Sequence, residues 1–151
     1  MKLLNIKITD SSISETATII EPVNIYGSKI EDNCFIGPFV EIQKNTSIGK
    51  NTKVQSHTFI CEFVEIGSNC FIGHGVMFIN DKFSDGKPAG GDIEKWMETK
   101  IENNVSIGSN CTILPVRIVE GSVIGAGSVV TKDIIVKGIY AGNPAKLLRK
   151  I

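Results

Sequence analysis

The stretch Ile30-Glu31-Asp32-Asn33-Cys34-Phe35-Ile36-Gly37-Pro38-Phe39-Val40-Glu41-Ile42-Gln43-Lys44-Asn45-Thr46-Ser47-Ile48 carries isoleucine at every sixth position. The period runs on through Val54, Ile60, Ile66, Ile72 and Phe78 without a miss. Two positions before most of these stands a small or β-branched residue, as in Cys34-Phe35-Ile36, Thr46-Ser47-Ile48 and Thr58-Phe59-Ile60. Residues two apart in a strand share a face, so each triplet points in, out, in. Three residues remain to turn the chain. The third is repeatedly one that accepts a positive φ: Asn33, Asn45, Asn51, Asn69, Gly75, Asn104, Asn110, Gly121 and Gly127. A strand and a corner every six residues predict a three-sided all-β tube of about eighteen residues per coil, stacked at roughly 4.8 Å. Cys34, Thr52 and Cys70 then share one inward column.

Working outward, the register is lost from Ile79 to Lys100 and recovered at Ile101-Glu102-Asn103-Asn104-Val105-Ser106-Ile107. The polar, glycine-rich interruption predicts an inserted loop over about 79–100, and long loops in compact domains tend to carry function. Ile113 and Ile118 are only five apart, so the corner Leu114-Pro115 is one residue short, which proline can hold. After Val130 the pattern fades into a cap over about 134–151, in which 144–150 suggest a short amphipathic helix or tail closing the open coil. Phe35, Phe59, Phe71 and Met77 fall at outward positions and predict a subunit interface.

At 151 residues the chain is expected to form a single domain, 1–151. Sixteen basic residues balance sixteen acidic ones, which speaks against a nucleic-acid partner. The start lacks a signal-peptide pattern and no membrane-spanning apolar run occurs, so the expectation is a cytoplasmic protein with no membrane partner. The four cysteines lack C-x-x-C spacing and should stay reduced, three of them as core residues. His57 and His74, in the corners Gln55-Ser56-His57 and Gly73-His74-Gly75, fall on one edge of adjacent coils. Asn80 and Asp81 follow one corner later, just before the loop.

The units Ile36-Gly37-Pro38-Phe39-Val40, Ile66-Gly67-Ser68-Asn69-Cys70 and Ile124-Gly125-Ala126-Gly127-Ser128 resemble the hexapeptide-repeat acyltransferases over nearly the whole chain. That resemblance implies a left-handed coil and a homotrimer with sites between subunits. Zinc carbonic anhydrases share the fold but use three histidines, so no metal is expected. The segments Ile107-Gly108-Ser109-Asn110-Cys111, Ile124 to Asp133 and Gly142-Asn143-Pro144-Ala145-Lys146 are similar to the part of the family that binds acetyl-CoA. Gly108, Ser109, Gly125 and Ala126 would then let a pantetheine arm lie along the tube. Asn143 and Pro144 belong to the same segment, and Lys132, Lys146 and Arg149 would meet the phosphates.

In relatives that acetylate hydroxyls, the catalytic histidine stands where this chain has Asn110. An amide cannot accept the proton a hydroxyl must lose, whereas an amine needs less help. Val23-Asn24-Ile25-Tyr26-Gly27, Gln55 to Cys61 and Phe71 to Asp81 most resemble nucleotide-sugar 3-amino N-acetyltransferases. The resemblance implies acetyl transfer from acetyl-CoA to a dTDP- or UDP-linked 3-amino sugar destined for surface glycan. The chain leaves no room for the additional nucleotide-binding domain of some relatives, so the tube and its loop would bind the sugar nucleotide. His57 or Asp81 would take the amine proton, His74 or Asn80 would orient the sugar, and Tyr26 would contact substrate. Two other readings stand beside this: a sugar or serine O-acetyltransferase, and a non-catalytic scaffold.

Overall fold

Short strands form at the predicted triplets and pair in parallel from coil to coil. The computed structural model, which describes residues 1 and 7–151, is a left-handed parallel β-helix. Sheet A holds seven strands, among them Asn24–Tyr26, Glu41–Ile42, Phe59–Ile60, Met77–Phe78, Thr112–Ile113 and Val129–Val130. Sheet B holds six, including Ser47–Ile48, Val64–Ile66 and Thr99–Ile101, and sheet C holds eight, including Phe35–Ile36, Lys53–Val54 and Phe71–Ile72. The chain visits A, B and C in turn, which defines three edges: AB, BC and CA.

The repeated aliphatic markers fill the tube. Ile25, Ile30, Ile36, Ile42, Ile48, Ile60 and Ile72 are all essentially inaccessible. Each contributes about 1.5–3 kcal/mol by leaving water. The other inward residue of a triplet does a second job. The Cys34 thiol donates to the Gly49 carbonyl (3.1 Å), the Thr52 hydroxyl to Gly67 O (2.8 Å), Thr58 to Gly73 O (2.9 Å) and Cys111 to Gly125 O (3.1 Å). Each satisfies a carbonyl at a corner of the next coil, a group that would be costly to bury unpaired. This explains why small donors recur there. All four cysteines are buried, one more than the triplet pattern implies, because Cys61 is enclosed at an AB corner.

Every corner residue expected at positive φ has it, from Asn33 at 57° to Gly121 at 71°. Along the BC edge the asparagines also form a ladder. Asn33 Nδ2 donates to Asn51 Oδ1 (3.3 Å), and Asn51 Nδ2 donates to Asn69 Oδ1 (3.1 Å).

Irregularity concentrates on the AB edge. The CA and BC corners keep the six-residue spacing throughout, whereas Ile25 to Ile30 spans five, as Ile113 to Ile118 does. The long insertion between Met77–Phe78 and Thr99–Ile101 leaves from this edge too, and contains a single 3₁₀ turn at Ile93–Lys95 capped by Asp92. The expected short corner at Leu114-Pro115 is therefore one of several. The first of them escapes notice because the unbroken period begins only at Ile30.

One expectation is corrected. The C-terminal segment is no helix: Lys146–Lys150 pairs antiparallel with Gly138–Ala141 as the last strand of sheet C. The turn between them covers sheet A, with Val129 N donating to Gly142 O (3.0 Å) and Ala145 N donating to Val129 O (2.8 Å). A β-hairpin meets the requirement to cap open strand edges better than a helix, because it offers backbone partners directly. The four outward apolar residues divide between two faces of the tube. Phe35 and Phe71 lie on sheet C on either side of Lys53, while Phe59 and Met77 are neighbours on sheet A. Among the described residues no helix is long and apolar enough to cross a membrane.

Candidate active site

The CA edge gathers most of the residues anticipated as functional. Its corners stack Pro38-Phe39, Ser56-His57, His74-Gly75, Ser109-Asn110 and Ala126-Gly127. Ser56 Oγ lies 2.9 Å from His74 Nδ1, and the His74 backbone N–H donates to Ser109 Oγ (3.2 Å). Both the His74 ring and its backbone are thus held. His57 is exposed, has φ 62°, and stacks on Phe39 with ring centroids 4.9 Å apart. Asn110 crosses over Gly75: a Cβ placed there would sit 2.5 Å from Asn110 Oδ1, so a larger residue would have to displace the Asn110 side chain. Gly108, Ser109, Gly125 and Ala126 continue the same edge. Asn143 and Pro144, in the hairpin turn beside Val129, extend it, while Lys146 and Arg149 lie exposed on the final strand. Lys132 is separated from them, at the AB edge after Val129–Val130.

The remaining candidates occupy the AB edge. Asp81 is committed to its own loop: Oδ1 accepts from Phe83 N–H (2.9 Å) and Oδ2 from Ala89 N–H (2.7 Å). Asn80 Nδ2 donates to Glu62 O (3.2 Å), and Asn80 O accepts from Met97 N–H (2.9 Å), so Asn80 is fixed at both ends. Trp96 folds back toward Phe63 at 6.4 Å. Tyr26 stands at the start of its AB corner, and its hydroxyl is pushed above the usual range by burial and by the neighbouring Glu41 and Glu62 carboxylates.

Between these groups lies a residue the sequence pattern passes over. Glu62 sits in a corner, 7% exposed, and its Oε2 has no hydrogen-bond partner among the described residues. Its Oε1 faces Lys44 Nζ at 3.8 Å, too far for a hydrogen bond, and the Lys44 side chain is half exposed. Buried carboxylates are ordinarily paired, and leaving one partly unpaired is costly. Residue type alone does not mark it in the sequence, because Asp32 and Glu120 take the same middle position of a corner without being buried. Among the described residues no group of His, Cys, Asp and Glu could hold a metal ion.

The predicted residues therefore form two clusters, at opposite edges of sheet A. The strand and flanking corner positions between them, at about 3.3 Å per residue, place them on the order of 15 Å apart within one chain. Phe59 and Met77 lie on the face between them.

Comparison with known proteins agrees with this architecture. The pattern described as Bacterial transferase hexapeptide (six repeats) matches residues 27–62 and 45–80, and that described as Hexapeptide repeat of succinyl-transferase matches residues 98–132. The chain belongs to the hexapeptide-repeat transferase family. A protein of Schizosaccharomyces pombe whose own acetyltransferase assignment is provisional is 50% identical over 68 residues, covering 44% of this chain and 33% of that protein. The chain thus spans about a third of the length of this curated relative. A hexapeptide transferase family protein from Anaplasma phagocytophilum superposes with a TM-score of 0.76 at 23% identity, covering 95% of this chain and 82% of that one. A mutant of perosamine N-acetyltransferase from Caulobacter crescentus, solved with CoA and GDP-perosamine, superposes with a TM-score of 0.65 at 16% identity, covering 93% and 57%. At these identities the two structures speak to the fold.

Proposed function

We propose that the chain is an acetyl-CoA-dependent N-acetyltransferase for the amino group of a nucleotide-linked 3-amino sugar, dTDP- or UDP-borne, in surface glycan synthesis. The observation that carries this is the unpartnered oxygen of buried Glu62. A carboxylate enclosed with one oxygen free is matched by an N–H donor, and best by a cationic amine. Lys44, half exposed and just out of bonding range, marks the route by which such a group reaches it. Asn80 is held beside Glu62 and orients the sugar, and Tyr26 closes the same corner. Asp81, with both oxygens taken by loop amides, acts by shaping the loop against substrate.

The acetyl donor follows the CA edge past Gly108, Ser109, Gly125 and Ala126 toward Asn143, Pro144 and the cations Lys146 and Arg149, with Lys132, at the opposite edge of sheet A, supplied by an adjoining subunit. Two clusters at opposite edges of one side meet only if subunits combine. We therefore assign the chain to a homotrimer in which the CA edge of one subunit faces the AB edge of the next. Glu62 takes the extra proton of the bound ammonium, and the neutral amine nitrogen then attacks the thioester carbonyl; the C–N bond forms, the C–S bond breaks, and the remaining surplus proton leaves by His74, anchored by Ser56, to the departing thiolate. His57 borders this path. Asn110, packed over Gly75, offers no proton acceptor, which favours amines over hydroxyls.

Kinetics of Glu62→Gln and Glu62→Ala test the reading. Both are expected to lower kcat/KM for the amino sugar by roughly 10²-fold or more while leaving acetyl-CoA binding near wild type. Unchanged kcat/KM in both variants would remove Glu62 from the site.

A further inference from the structure

Among the CA corners, the residue at positive φ is Gly75, Asn110 or Gly127 on three coils, and the bulky Phe39 (φ 62°) and His57 (φ 62°) on the other two. A bulky side chain in this conformation is strained, and such strain persists chiefly where a ligand or a switch uses it. The two rings stack in near-parallel planes, 17° apart, and Phe39 remains 57% exposed. Packing therefore does not account for Phe39. It also borders a recess of about 180 Å³ shared with Pro22, Val23, Asn24, Val40 and Glu41. That is smaller than a pocket for a whole nucleotide sugar, and suits one ring. On its floor Asn24 and Glu41 are register partners on sheet A, and Gln43 Nε2 donates to Glu41 Oε1 (3.0 Å), while Oε2 has no hydrogen-bond partner among the described residues.

We infer that Phe39, backed by His57, is the stacking platform for the acceptor's nucleobase, and that Asn24 and Glu41 read the base edge. An amide donor beside a carboxylate acceptor complements a ring that alternates carbonyl and N–H, the imide edge of uracil or thymine. Cytosine lacks that ring N–H, and guanine is a two-ring base for a one-ring recess. This assignment rests on the nucleotide-sugar reading above. Its test uses bare nucleotides and no turnover, so the two can fail separately.

Calorimetry with UDP, dTDP, CDP and GDP on the wild type, Phe39→Asn and Glu41→Gln decides it. Asparagine is the residue that serves this corner on another coil, so Phe39→Asn should fold at least as well as the wild type, which thermal melting checks. The expectation is that UDP or dTDP binds the wild type more tightly than CDP or GDP, and that Phe39→Asn weakens it roughly tenfold, the order expected for one lost aromatic stack. Glu41→Gln should narrow the preference over CDP. Equal affinity of Phe39→Asn and wild type for UDP and dTDP would overturn the platform, as would no binding of either nucleotide to folded wild type. Equal or tighter binding of CDP or GDP would overturn the imide assignment.

Discussion

At the scale of single residues, the corners separate what is interchangeable from what is not. Asn51 has φ 59° and both gives and receives a ladder hydrogen bond. Asn51→Ala keeps a Cβ without the amide and should cost about 2–3 kcal/mol, from backbone strain of about 1–2 kcal/mol plus the lost bonds. Asn51→Gly relieves the strain and should cost clearly less. Urea unfolding of both variants checks this, and equal losses would mean that backbone conformation is not what the corner demands. Such corners are legible in the sequence because Asn and Gly announce them. Phe39, His57 and Phe63 take the same conformation without announcing it, since the rule for positive φ concerns ease, and these residues adopt it at a cost. Glu62 was hidden for a related reason. Its burial depends on the loop and on Lys44, neither of which a six-residue period describes.

At the scale of elements, the loop after Phe78 is ordered by one side chain. Asp81 accepts from the amides of Phe83 and Ala89, closing the segment that contains Lys82 and Lys87. Asp81→Ala removes both bonds, and Asp81→Asn keeps one acceptor oxygen. Limited trypsin digestion should therefore cut Asp81→Ala at Lys82 fastest, Asp81→Asn at an intermediate rate and wild type slowest. Identical rates would show that the loop is held by other contacts, such as Trp96 on Phe63 or Lys95 with Asp85. The place and length of this loop can be read from lost periodicity. The form of the C-terminal cap cannot: Pro144 to Lys150 has an apolar pattern compatible with a helix, but the open edges of three sheets need backbone partners, and that demand decided in favour of a strand.

At the scale of the whole molecule, the core carries four thiols that the tube encloses. Burial raises the pKa of Cys34, Cys70 and Cys111, and pushes Cys61 up to about 12. Each ionises more readily in the unfolded chain than in the fold. Their favourable contribution is therefore complete below about pH 9 and is lost as pH rises from there toward 12. Thermal midpoints should fall steadily across that window, and less steeply in Cys61→Val, a variant without that thiol. Iodoacetamide at pH 8 should leave all four unmodified until denaturant is added; rapid labelling of the native protein would contradict their enclosure. The stacking of regular coils makes this interior readable from one repeat. The proposed meeting of the two edge clusters is not readable from one chain, because it would depend on a second subunit.

The proposed function turns on transfer of acetyl to an amine at the Glu62 edge. Wild-type protein incubated with acetyl-CoA and paired nucleotide sugars, identical but for a 3-amino or a 3-hydroxyl group, tests it directly by mass spectrometry. The expected products are an acetyl amide on the amino sugar and no ester on its hydroxyl counterpart. Acetylation of the hydroxyl sugar alone would contradict it.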